Sequence, residues 1–409
     1  MRTRKLTLMA AAAAAVLAPA VMAQTSGVTI YGRLYPYVVN EDGSGATAGT
    51  TSSATIGAKP AAGVDGVVRN NGFAYGNSRL GIRGSEDLGG GLKALFQLET
   101  VVGVTDGVGG AGAGGAFWNR DTFLGLQGSM GTVKLGLMDS IFKNYGDTIG
   151  ILGISSGTFM STSNILRKPG FGTSNDARFH ERLRNSIQYE SPELNGFQAG
   201  LQYALVDPKA GNRHKTATSM GIQYDQGPLY VALAHEIHND YFGGSAQAPS
   251  SMRNSDATAN PNVNSKDRAT QFTVEYRLNK MHKFEVDVIR KEYKETATVT
   301  GRFASYKNTA YLLAMENRWN DQWRTAANYV RSNAGSCTRV AAACKTDGLE
   351  GSKFTVAASY SLSRRTMVFA SAAKLTNGTA ARFSTNDLDN RTNPGEDLTQ
   401  FALGVSHSF

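Results

Sequence analysis

The chain holds two cysteines, six histidines, three tryptophans and ten prolines among 409 residues, and only 18% of it is charged. So few cysteines cannot build a disulfide scaffold or a thiolate-rich metal site. The histidines assemble no Ser/His/Asp arrangement, and His235-Glu236-Ile237-His238 lacks the spacing of a zinc-binding His-Glu-x-x-His helix, so neither an enzyme centre nor a metal or cofactor site is expected. Low charge beside 41% hydrophobic residues excludes a charge-rich disordered chain, and 46 glycines against 10 prolines exclude a collagen. Past residue 23, no apolar run approaches the ~20 residues that a membrane-spanning helix requires, which excludes a helical channel or transporter. The glycine-rich run at 109–115 opens no helix and no Lys-Ser/Thr follows it, so it reads as a loop and not as a phosphate cradle.

The N-terminus has a different composition. Arg2, Arg4 and Lys5 form a basic head, residues 6–17 an alanine-rich apolar stretch, and Val21-Met22-Ala23 a small-residue cleavage pattern ahead of Gln24. Residues 1–23 therefore read as a secretory signal peptide and 24–409 as the mature domain. The formal net charge of +9 stays positive once the three bases of the signal are removed. In an oxidising compartment, Cys337 and Cys344, seven apart in a polar stretch, are expected to form one disulfide clipping a loop. The basic balance does not imply nucleic acid, because the bases are dispersed and export removes that partner.

What dominates the rest is alternation of period two. Val28, Ile30, Gly32 and Leu34 share one face, with Thr29, Tyr31, Arg33 and Tyr35 on the other. The same pattern recurs in Leu92, Ala94, Phe96 and Leu98, in Phe272, Val274 and Tyr276, in Phe284, Val286 and Val288, and in Phe401, Leu403 and Val405. No comparable 3.6-residue stripe is present, so the fold is all-β. Short turns at 86–91, 128–131, 192–196, 226–228, 278–282, 318–321 and 362–365 alternate with long polar segments at 39–77, 103–118, 139–184, 207–217, 239–268, 292–306, 332–350 and 376–397. Seven turns and eight loops separate sixteen strands, the pattern of a transmembrane β-barrel with short periplasmic turns and long extracellular loops. The face opposite the apolar one carries Arg, Lys, Glu, Asp and Gln within the strands. Ionised groups inside a barrel need water, so the interior reads as a channel and the exterior as lipid-facing.

Several stretches resemble the Gram-negative general porins, particularly the β-proteobacterial type. They are Val28-Thr29-Ile30-Tyr31-Gly32, Ser78-Arg79-Leu80-Gly81-Ile82-Arg83-Gly84-Ser85-Glu86-Asp87-Leu88-Gly89, Gly131-Thr132-Val133-Lys134-Leu135-Gly136, Asn185-Ser186-Ile187-Gln188-Tyr189-Glu190-Ser191-Pro192 and the ending Gly404-Val405-Ser406-His407-Ser408-Phe409. The resemblance implies a homotrimer of 16-stranded barrels in outer-membrane lipid, with the third long loop, 139–184, folded inward. It also implies that Phe409 is the signal read by the outer-membrane barrel assembly machinery. The sequence departs from the pattern at Leu137, where the family usually has Arg, and at Tyr189-Glu190, where a base is often found.

By that likeness and by alternation, Arg33, Arg79, Arg83 and Lys134 are the candidate basic side of a pore constriction. Asp139, Asp147 and Asp176 are candidates for its acidic side, with Asp121 on the adjoining wall a further possibility. Phe142, Tyr145, Phe159 and Phe171 are expected to pack the inward loop against the wall. The reading is a passive diffusion channel for ions and small hydrophilic solutes with a mild preference for anions. Its competitors are a barrel serving mainly as adhesin or receptor, and a substrate-specific channel.

Overall fold

The computed structural model describes residues 27–47, 56, 63–105, 117–146, 148–155, 157–171, 177–207, 213–246, 248–254, 262–385, 388 and 392–409. Residues 1–23, read as the signal, lie outside that set. Among these residues nineteen strand segments hydrogen-bond into one sheet that closes on itself, every pairing antiparallel, as a barrel of sixteen staves. The excess is accounted for locally. Gly27–Leu34 and Tyr37–Ser44 are two halves of the first stave, Asn70–Ala74 and Arg79–Gly89 two halves of the second, and Ser336–Arg339 is a spur on the long strand Phe303–Arg318.

The long segment expected from residue 39 is thus shorter than the alternation suggested. The first stave continues to Ser44 and the second begins at Asn70. These extensions read as loop because Asn40, Glu41, Asp42, Asn70 and Asn71 carry no apolar face. The interruptions have local causes. Pro36 has no N–H for the ladder. Opposite it, the Tyr35 ring lies so close to Gly76 that a Cβ there would be 2.1 Å from a ring carbon, and Gly76 has a φ of +49°, both of which favour glycine.

Polarity is inverted relative to a soluble protein. Outward-pointing Val28, Ile30, Leu124, Leu135, Leu201, Ile222, Leu313, Phe401 and Leu403 are exposed, while inward-pointing Gln188, Gln202, Gln271, Glu275, Glu285, Thr355 and Gln400 are buried. An apolar exposed surface of this extent is stable only against hydrocarbon. Exposed Tyr276, Phe284, Trp319 and Trp323 crowd the outer surface near the short turns, where amphipathic rings settle at a lipid headgroup level. The sheet closes where the last stave, Asp397–Ser408, meets the first: Gly32 and Phe409 exchange two backbone hydrogen bonds of 3.1 Å.

Candidate functional site: the inward loop and its wall

Between the strands Gly131–Asp139 and Arg182–Glu190 the chain turns into the barrel. Ser140 opens a helical turn, Ile141–Asn144, its Oγ accepting from Lys143 N at 3.2 Å, and the free N–H of Phe142 donates to Ser219 Oγ at 2.8 Å. The turn sits tightly on the wall because the facing strands carry glycines: a Cβ at Gly200 would meet Ile141 at 2.6 Å, and one at Gly221 would meet the Tyr145 ring at 2.8 Å. Tyr230 then donates to Tyr145 O at 2.9 Å.

From there the loop crosses the lumen, tied to the wall by polar contacts. Glu285 accepts from Thr148 N at 2.8 Å and Ile149 N at 2.6 Å, and Glu275 accepts from Thr148 Oγ1 at 2.8 Å. On the far side Arg33 donates to Gly153 O at 2.5 Å and to Ser406 Oγ at 2.9 Å. The ammonium of Lys353 caps Phe159 O at 2.7 Å and also Ser161 O; that of Lys291 caps Leu166 O at 2.9 Å and Lys168 O at 2.7 Å. Each buried wall cation thereby offsets its desolvation with two backbone carbonyls of the loop. The aromatics expected to pack the loop do so: Phe142, Tyr145, Phe159 and Phe171 are all buried, with Phe171 edge-on to Tyr306 at 4.8 Å.

The basic wall is concentrated on the first staves. Arg33 and Arg79 are register partners, and Arg83 lies over the Tyr31 ring at 4.8 Å. Tyr31 donates to Glu99 at 2.9 Å; the same carboxylate is 3.6 Å from Arg79 and also paired with Arg120. Glu99 thus pairs with Arg79 and Arg120, while Arg33 and Arg83 form no ion pair among the described residues. Lys134 is set apart from this cluster: it is 2.5 Å from Glu190, which neutralises it.

On the acidic side, Asp121 and Asp139 come together at the root of the loop, where Arg182 spans them at 2.7 and 2.8 Å and Lys143 adds a second pair to Asp139 at 2.9 Å. Both carboxylates are engaged at the wall. Asp147 and Asp176 lie outside the described residues. Around this root, burial pushes the Lys143 ammonium below its ordinary pKa although Asp139 opposes the shift, and holds His180 well below the usual imidazole range. Beside the loop a cavity of about 510 Å³ is lined by Lys143, Thr148, Ser155, Asp225, Tyr230 and Arg277. In it Arg277 is paired with Asp225 and Glu275, both at 2.6 Å, so this side is close to charge balance.

Sequence reasoning missed Arg120, Arg182, Lys291 and Lys353. Parity places Lys353 inside, because its neighbour Phe354 points out. That its partners are loop carbonyls has no signature along the chain.

A family model described as Gram-negative porin matches residues 10–380. The major outer membrane protein P.IB of Neisseria gonorrhoeae is 31% identical over 218 residues, 53% of this chain and 54% of that protein. Its counterpart in a serogroup A strain of Neisseria meningitidis is 32% identical over 165 residues, 40% of this chain and 44% of that protein, so the matched part spans about half of these curated relatives. Among solved structures, an anion-selective porin from Comamonas acidovorans superposes with a TM-score of 0.68 at 21% identity, covering 94% of this chain and 100% of that one. The trimer form of OmpT, an outer membrane protein of Vibrio cholerae, gives 0.61 at 13% identity, covering 94% and 99%. At these identities the likeness shows the shared barrel.

Proposed function

We infer, since this chain belongs to the Gram-negative porin family and is an outer-membrane protein, that it forms a water-filled channel through which ions and small hydrophilic solutes diffuse down their gradients. Size is set by the inward loop, whose crossing of the lumen narrows the path, and no covalent chemistry is involved. The channel favours anions. The observation that carries this is the cluster on the first staves: of Arg33, Arg79, Arg83 and Arg120, only Arg79 and Arg120 are ion-paired among the described residues, both with Glu99, leaving a local positive excess in a low-dielectric cleft where it attracts counter-ions. The name of the Comamonas acidovorans relative, an anion-selective porin, is consistent with that preference, and the trimer form of OmpT with assembly as a homotrimer. Phe409 follows the closing stave directly, and there we place the signal read during assembly of the barrel.

Reversal potentials across a planar bilayer under a potassium chloride gradient test the reading. Wild type is expected to show an anion-selective sign, and R33Q/R79Q/R83Q a shift toward cations. A cation-selective wild type would overturn the preference, and failure to conduct would overturn the channel.

A further inference from the structure

The short-turn end of the barrel carries a second concentration of charge. Three consecutive turns, within 277–283, 318–323 and 361–366, surround a cavity of about 830 Å³. Five bases line it, Lys280, Lys283, Arg318, Arg324 and Arg364, against two acids, Glu316 and Asp321. Both acids are engaged: Arg324 donates to Glu316, and Arg318 lies 3.2 Å from Asp321. Lys283 is the register partner of Glu316, so it meets a carboxylate already neutralised by Arg324. Lys280, Lys283 and Arg364 form no ion pair among the described residues. Lys283 and Arg324 point inward, since their neighbours Phe284 and Trp323 are exposed on the lipid side, and the cavity therefore opens into the pore mouth.

Three uncompensated cations from two turns, Lys280 and Lys283 on one and Arg364 on another, held round one concavity, suit a particular ligand chemistry. A single exposed ion pair is worth little, because solvent screens it and the side chains lose freedom. A compact anion of three or more charges engages several of these cations at once, and bringing the first into register makes the others nearly intramolecular. A chloride ion gains no such advantage.

We infer that the vestibule formed by Lys280, Lys283 and Arg364 is a binding site for compact polyanions, oligophosphates or polycarboxylates, distinct from the constriction. The inference rests on the anion-channel reading in that it names solutes that dwell in that pore, but it depends on other residues. In porins the short turns face the periplasm, so the site lies at the inner mouth and holds polyanions there.

Isothermal titration of the full-length protein purified in detergent, at low ionic strength, tests it with inorganic tripolyphosphate as probe and citrate in parallel. Wild type is expected to bind one tripolyphosphate per chain. K283Q/R364Q should weaken that affinity about tenfold or more, equivalent to ~1.4 kcal/mol, whereas R79Q/R83Q should leave it within about twofold, a change well under that. Citrate following the same pattern assigns the binding to charge number; binding of tripolyphosphate alone restricts the site to oligophosphates. Retained heat-modifiable mobility on gels establishes that the variants are folded, and K283M/R364M serves if the first pair is not. Absence of binding, binding indifferent to K283Q/R364Q, or binding lost in R79Q/R83Q instead overturns the site. Reversal potentials on the same preparations separate the two readings: anion-selective conduction without binding defeats this inference alone, and binding without conduction defeats the channel alone.

Discussion

At the scale of single residues, cations buried in the lumen act as struts for backbone. Lys353 and Lys291 point inward among strands that could have carried neutral side chains, and each spends its charge on two loop carbonyls. A hydrogen bond from a charged donor contributes about 1.5–3 kcal/mol, so Lys353→Met should leave the barrel folded while freeing the segment around Phe159. The expected result is noisier open-channel current and faster entry of larger sugars in liposome swelling; traces and swelling rates identical to wild type would remove the strut role. Lys168, in the loop itself, poses the opposite problem. Burial, with Arg178 adding repulsion, pushes its ammonium down from the ordinary 10.5 to about 7. Below about 7 both folded and unfolded states hold the proton; between there and 10.5 the unfolded state holds more, so stability rises with pH across that window. Lys168→Met should flatten that rise, and melting curves of both proteins from pH 6 to pH 10 check it; parallel slopes would dismiss Lys168 as its source.

At the scale of elements, the staves were legible because lipid demands an apolar residue at every second position, and Phe272, Val274 and Tyr276 or Phe401, Leu403 and Val405 meet that demand without exception. Legibility ends where a strand rises out of the bilayer. Tyr37–Ser44 and Asn70–Ala74 are ladder-paired but no longer constrained by hydrocarbon, so Asn40, Asp42 and Asn71 are tolerated on their outer face and their period disappears. The site was legible to the same extent. Parity puts Arg33, Arg79 and Arg83 on the inner face, whereas the bridge from Arg182 to both Asp121 and Asp139 depends on where a loop of some forty residues leaves and rejoins the wall. The spur Ser336–Arg339 belongs to this scale as well. Cys337 and Cys344 are bonded, as their spacing suggested, with Cα atoms 5.7 Å apart, and they close a hairpin outside the staves. Closing so short a loop restricts the unfolded chain by about 2–3 kcal/mol at most, and only locally. C337S/C344S should therefore shift barrel melting by no more than a few degrees while opening 340–343 to protease; a collapse of barrel stability would show that the hairpin bears on the staves.

At the scale of the whole molecule, the inverted polarity makes the inner charge the only charge a permeating ion meets in the bilayer, and its reach is set by the electrolyte. Screening lengths fall from about 10 Å at 0.1 M to about 3 Å at 1 M salt, so a preference arising from the first-stave arginines should fade as both chambers are made more concentrated at a fixed ratio. Reversal potentials that do not change over that range would point to a binding site at atomic contact in place of a field. The seam between Gly32 and Phe409 bears on the molecule in another way. Because Phe409 and Gly32 complete the hydrogen-bonded hoop, every stave is flanked on both sides. Such a hoop has no loose side: removing the last stave would expose two raw edges in a solvent that cannot bond them.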